Sequence, residues 1–259
     1  MNMVLEIKKI SKNFGGIQAL TDVSFSVEQG EVLGLIGPNG AGKTTMFNMI
    51  TAMYPPSSGE VSFVGKSLAN LKPHEITKQG ICRTFQNIRL FSDLTVRENV
   101  MVGNHCRLKT NVFQSVFRTK YQKSEEEKVL RTSDEILEIV GLADDTHTIA
   151  KNLSYGQQRR LEIARALASK PQLLLLDEPS AGMNEKETND LFDLIKKIQE
   201  INITVLLIEH DMPLVMRICS RIVVLNFGKK IAEGTPSSIQ NNKEVIEAYL
   251  GVEEDEELA

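Results

Sequence analysis

The sequence predicts an α/β fold, a parallel-sheet core interrupted by a helical subdomain. Three observations predict it. Short, almost uniformly apolar runs recur at residues 31–37, 173–176 and 203–208, as strands buried on both faces require. A glycine-rich loop follows the first run and leads into helical sequence. Between about residues 87 and 168 the pattern turns helical, and beyond that stretch strand and helix alternate again.

In chain order, Val23, Phe25 and Val27 alternate with polar residues and predict a half-exposed strand. The buried strand at 31–37 comes next, then the glycine loop and a helix over 44–52. Thr95-Val96-Arg97-Glu98 has capping-box spacing and opens a helix through Met101. A charged, amphipathic helix spans 125–140, where Gly141 can stop it. Ser154 and Gln157 repeat the capping-box spacing, so a helix starts there and runs to about Ser169. Strands at 173–176, 203–208 and 221–226, with a helix at 185–200, complete the pattern. The acidic run Glu253-Glu254-Asp255-Glu256-Glu257 predicts a solvated, mobile tail.

At 259 residues, 41% hydrophobic and 25% charged, the chain is long enough for a full core. A net charge of −4 gives no reason to expect a nucleic-acid surface. Cys82, Cys106 and Cys219 are widely spaced with no C-x-x-C pair, which fits reduced thiols rather than a disulfide framework or zinc site. No apolar run approaches the roughly 18 residues of a membrane span, and the N-terminus lacks signal-peptide character.

Chemistry enters with Gly37-Pro38-Asn39-Gly40-Ala41-Gly42-Lys43-Thr44, a G-x-x-x-x-G-K-[ST] phosphate loop. By chance that pattern arises in roughly one chain in a hundred of this length. Glycines let the backbone turn its N–H groups around an anion, and the following helix points its positive end at the same place. Lys43 can reach the β- and γ-phosphates and Thr44 can offer a hydroxyl to Mg²⁺. Four leucines before Asp177-Glu178 bury a strand and deliver two carboxylates to its C-terminal end, where α/β sheets bind ligands. Asp177 is placed to hold Mg²⁺ through water, and Glu178 to polarise the attacking water.

With Leu153-Ser154-Tyr155-Gly156-Gln157, these motifs resemble the ATP-binding subunits of ABC transporters over nearly the whole chain. The resemblance implies a P-loop NTPase with a RecA-like core, an antiparallel β subdomain and an inserted α-helical subdomain. The core would take residues 1–86 and 169–250, the helical subdomain 87–168, and an acidic tail 251–259. ATP would lie on Asn39, Gly40, Ala41, Gly42, Lys43, Thr44 and Thr45, with Mg²⁺ held by Thr44, Gln86 and Asp177. Phe14, by itself a core residue, takes the place of a ring that stacks on adenine. Gln86, otherwise an unremarkable surface residue, matches the glutamine that touches Mg²⁺ and senses a membrane partner. His210, by itself a structural histidine, matches the one that contacts the γ-phosphate. The resemblance makes Lys43, Glu178 and His210 the catalytic set.

Ser154, Gly156 and Gln157 match the segment that closes over ATP held by a second ATPase subunit, either another copy or a sister chain. Tyr155 replaces the glycine commonest at its position, and Asn184 stands where many members have Asp. Arg83-Thr84-Phe85-Gln86, Leu94-Thr95-Val96-Arg97-Glu98-Asn99-Val100 and Ile246-Glu247-Ala248-Tyr249-Leu250-Gly251 are similar to the branched-chain amino acid importer ATPases, above all the longer of that system's two. Integral membrane permease subunits and, indirectly, a periplasmic or lipoprotein solute-binding protein are the further partners implied. The implied location is the cytoplasmic face of the membrane, and no nucleic acid is expected. Residues 105–123, basic and apolar by turns, read as a solvated amphipathic segment before a membrane or partner contact. A lipopolysaccharide exporter's ATPase is the nearest alternative, and a soluble ABC protein acting on DNA or ribosomes a more distant one.

Overall fold

In the computed structural model, which describes residues 2–104 and 120–256, the three apolar runs become adjacent parallel strands. They are β3 (Val32–Ile36), β7 (Leu173–Asp177) and β8 (Thr204–Ile208). β6 (Ile81–Arg83) extends the sheet beside β7, while β9 (Arg221–Asn226) pairs with β3 and β10 (Lys229–Gly234) with β9. The order is β10-β9-β3-β8-β7-β6, parallel except for the β9–β10 hairpin.

The lack of alternation in these strands has a direct cause. Val32 and Ile36, Leu174 and Leu176, and Val205 and Leu207 pack into one core cluster. Leu33 and Leu35, Leu173 and Leu175, and Leu206 and Ile208 pack into a second on the opposite face. Each buried aliphatic side chain contributes about 1.5–3 kcal/mol, so both faces demand apolar residues.

A second, antiparallel sheet has the order β2-β1-β4-β5, from β1 (Met3–Phe14), β2 (Ile17–Glu28), β4 (Ser58–Phe63) and β5 (Lys66–Ser67). Val23, Phe25 and Val27 of β2 turn inward as their alternation predicted. Helix α1 (Lys43–Ile50) shares their cluster through Met46, Phe47 and Ile50, which joins the glycine loop to both sheets. Helix α2 (Pro73–Gln79) leads into β6.

Between β6 and β7 come α3 (Val96–Asn104), α4 (Lys120–Ile139) and α5 (Tyr155–Ala168). The described residues from 96 to 168 contribute no strand to either sheet. Thr95 and Glu98 exchange the expected capping bonds, as do Ser154 and Gln157. Gly141 follows α4 with φ 67, the left-handed conformation that ends a helix. The segment 105–123 lies outside the described residues, apart from the helical backbone from Lys120.

After β7, helix α6 (Glu185–Glu200) leads to β8 and α7 (Met212–Ile218) to β9. The chain ends with α8 (Pro236–Gln240) and α9 (Lys243–Glu256). The acidic run read as a tail continues α9 as helical backbone through Glu256. Val245 and Tyr249 pack on the core and nucleate the helix. Each further residue then adds a hydrogen bond at small cost, and glutamate is a good helix former.

Candidate active site

Register brings the chemistry together. β3, β8 and β7 run parallel, with Leu35 opposite Ile208 and Ile208 opposite Asp177. The loops that leave their carboxyl ends therefore meet at one edge of the sheet, the position at which α/β folds bind ligands.

The first loop is the glycine loop. Gly37 has φ 150, and a Cβ there would come within 2.0 Å of the Leu225 carbonyl oxygen. Gly42 has φ 101, and a Cβ there would meet the Ala19 carbonyl oxygen at 2.9 Å. No other residue type fits either position. Asn39, Gly40 and Thr44 are exposed, while Ala41 and Lys43 are buried. The Lys43 ammonium donates to the Gly37 and Pro38 carbonyls at 2.6 and 2.9 Å, closing the loop on itself. Burial pushes its pKa down, opposed by the negative charges of Glu178 and Asp177.

At the end of β7 the two carboxylates part. Asp177 is buried and accepts from Arg83 Nη2 at 2.6 Å, and Arg83 Nη1 donates to Asn48 Oδ1 at 2.7 Å. Glu178 turns the other way. Its φ is 47, and its amide donates to the Ile208 carbonyl at 2.9 Å. Gln86 Nε2 donates to Glu178 Oε2 at 2.7 Å, and His210 Nε2 lies 2.7 Å from Oε1. Loops after β6, β7 and β8 thus converge on one carboxylate. Glu209, also buried, accepts from the amides of Ser180 and His210 at 2.8 and 2.9 Å and fixes two of those loops to each other.

Ser154, Gly156 and Gln157 lie elsewhere. They line a depression of about 270 Å³ with Arg160, Asn184 and Glu187, and no residue of the glycine loop lines it. The Ser154 hydroxyl caps α5, and the Gln157 carboxamide donates to Asp145 Oδ2 at 2.8 Å. Phe14 is 44% exposed at the end of β1. Its ring meets Tyr54 edge-on at 5.2 Å, with the Lys12 ammonium about equally near both rings.

Among the described residues, no cluster of three His, Cys, Asp or Glu could hold a metal unaided. Magnesium needs no such cage, because it retains waters and takes one or two carboxylates plus phosphate oxygens. The hydroxyl, amide and carboxylate oxygens of Thr44, Gln86 and Asp177 are the hard donors that suit it.

Residues 20–181 match the family model for the ABC transporter. The chain belongs to the ABC transporter family. A second model, the branched-chain amino acid ATP-binding cassette transporter, matches residues 229–255 of the cassette. The high-affinity branched-chain amino acid transport ATP-binding protein BraF of Pseudomonas aeruginosa is 47% identical, over 96% of this cassette and 98% of that protein. The corresponding LivG protein of Escherichia coli K12 is 44% identical over the same shares. An ABC-transporter cassette solved in its ADP conformation superposes with a TM-score of 0.85 at 35% identity, covering 97% of this cassette and all of that chain. A bacterial cassette solved as a dimer gives 0.75 at 29% identity, covering 90% and 98%. The P-loop core is thus that of an ABC ATPase.

Sequence reasoning missed Arg83, Asn48 and Glu209. Arg83 precedes Gln86 by three residues, but only the pairing of Arg83 with Leu175 across β6 and β7 places it beside Asp177.

Proposed function

We propose that this cassette is the ATP-hydrolysing subunit that powers import of branched-chain amino acids. The clamping of Glu178 between Gln86 and His210, at the edge where the P-loop emerges, carries the catalytic reading. The near full-length identity to branched-chain amino acid transport ATP-binding proteins supports the cargo. The match at residues 229–255 favours it over a lipopolysaccharide exporter's ATPase.

ATP binds with its phosphates on the amides of residues 39–45 and on the positive end of α1. Phe14, already exposed, stacks on adenine. Lys43 exchanges the Gly37 and Pro38 carbonyls for the β- and γ-phosphates, which are stronger, charged partners. Thr44, Gln86 and Asp177 would hold Mg²⁺, which supplies charge neutralisation at the phosphates when bound. Glu178 orients and polarises the attacking water, and His210 contacts the γ-phosphate. Ser154, Gly156 and Gln157 serve ATP held by a second ATPase subunit, another copy or a sister chain. Their separation from the P-loop within one chain supports action across a dimer, as does the dimeric form of a similar cassette.

ATP contacts both halves only in the closed pair, so binding favours closure and hydrolysis releases it. Among the described residues no helix is long and apolar enough to cross a membrane. Integral permease subunits therefore hold the cassette at the cytoplasmic face, and a periplasmic or lipoprotein binding protein delivers the solute to them. No nucleic acid takes part. Glu178→Gln tests the catalytic assignment: ATP binding persists, turnover falls at least roughly a hundredfold and closed dimers accumulate. Turnover at the wild-type rate would refute it. Stimulation of ATP hydrolysis in the purified membrane complex by leucine, isoleucine or valine tests the cargo.

A further inference from the structure

Arg159, on α5, is fully buried. A guanidinium taken out of water is costly unless its donors are used. Nη1 donates to the Phe85 carbonyl at 2.6 Å and to Glu162 Oε2 at 3.0 Å. Nη2 donates to the Gln86 carbonyl at 2.7 Å and lies 3.4 Å from the Tyr155 hydroxyl. Glu162 Oε1 accepts from the amides of Phe85 and Arg89, both at 3.4 Å. Residues 85–89 belong to no helix or strand, so two side chains of α5 hold four backbone groups of this loop. Burial pushes the Glu162 carboxyl above its ordinary pKa, opposed by Arg159.

The guanidinium Nε has no hydrogen-bond partner. The side chain is therefore aimed at the two carbonyls and not arranged to saturate itself. An apolar residue would fill the space at lower cost, but it could not fix the backbone of Gln86, whose carboxamide holds Glu178 at 2.7 Å. We infer that Arg159 is a positioning residue: by clamping the Phe85 and Gln86 carbonyls it sets the Gln86 side chain on Glu178 and ties α5 to the catalytic carboxylate. This rests on the reading of Glu178 as the group that polarises water. Tyr155 extends the same clasp, since a Cβ on Gly182 would lie 3.3 Å from its ring.

The test is a double-mutant cycle in the full-length chain. Turnover, KM for ATP, ATP affinity and thermal midpoint are measured for Arg159→Lys, Gln86→Ala, their combination and Glu178→Gln. Lysine keeps the charge but cannot span two carbonyls. Arg159→Lys is expected to lower kcat about tenfold with ATP affinity within about twofold of wild type. The double variant should be no slower than Gln86→Ala alone, because both changes remove the same constraint. Wild-type kcat in either single variant overturns the inference. So does a double variant in which the two losses multiply, or a loss in ATP affinity that matches the loss in kcat. Wild-type turnover in Glu178→Gln overturns both the inference and the reading beneath it. If Arg159→Lys does not fold, Glu162→Gln, nearly the same shape, replaces it in the same cycle under the same criteria.

Discussion

Glu178 sits at φ 47, a left-handed conformation that costs a residue with a side chain about 1–3 kcal/mol. Three contacts hold it there: its amide on the Ile208 carbonyl and its two oxygens on Gln86 and His210. Strain at this position aims the carboxylate away from Asp177, which Arg83 holds on its own side. Opposite demands on neighbouring acids are thus met by one backbone twist. Elsewhere, burial is the largest influence on the chemistry. Cys219 is 6% exposed, and burial pushes its thiol from 9.0 up to about 12, helped by Glu209 and Glu31. An acid that keeps its proton longer when folded contributes stability that is intact below pH 9 and lost as pH climbs from 9 toward 12. The loss from this one group is about 4 kcal/mol. Urea titrations across that interval should show a shallower decline in Cys219→Ala than in the wild type. An equal slope would show that the thiol is not the group responsible.

At the scale of elements, the caps decide where helices begin. Asn184 Oδ1 accepts the Glu187 amide at 3.0 Å, and Glu187 Oε2 accepts the Asn184 amide at 3.1 Å, so α6 starts with a reciprocal pair. The departure from Asp at position 184 is therefore harmless to the helix, because Asn and Asp cap about equally well. Asn184→Asp should unfold in urea within about 0.5 kcal/mol of wild type, while Asn184→Ala should lose about 1 kcal/mol. A larger loss in the Asp variant would mean that the amide nitrogen of Asn184 has work beyond capping. The same Glu187 approaches the helix that Ser154 caps, since a Cβ on Gly156 would lie 2.6 Å from its Oε1. Two helix starts, α5 and α6, share one small depression.

For the whole molecule, the decisive fact is separation. The P-loop, Gln86, Glu178 and His210 gather at the edge of the parallel sheet, and Ser154, Gly156 and Gln157 open onto another surface. On the proposed reading, a chain built this way carries two half-sites. Ser154→Arg should leave ATP binding by the isolated chain unchanged to within about threefold, apart from the roughly 1 kcal/mol of stability that the lost cap costs. Hydrolysis in the assembled transporter should fall sharply, as a bulky cation blocks the closing surface. Calorimetric titration of the monomer beside ATPase assays of the complex separates the two effects. Loss of ATP binding by the monomer would argue against action in trans.

The uniform runs ending at Ile36, Asp177 and Ile208, and the capping pairs at Thr95 and Ser154, were legible in the sequence because each depends on neighbours a few residues away. So were the phosphate loop, the two carboxylates and the switch to helical character between β6 and β7. β6 and β10 carry weaker patterns, since edge and short strands satisfy their backbone through pairing that no local spacing reveals, and β1 and β4, interior to the antiparallel sheet, show their place only through that pairing. The fate of the acidic C-terminus was equally hidden, because its helix is nucleated by the packing of Val245 and Tyr249. Arg83 beside Asp177, and Arg159 beneath Gln86, join residues 94 and 73 positions apart. By itself the sequence determined the candidate site motifs and the buried strands β3, β7 and β8, for those follow from residue type and local period. Only the tertiary structure decided which charges meet, because a buried ion pair is chosen by register and packing between elements far apart along the chain.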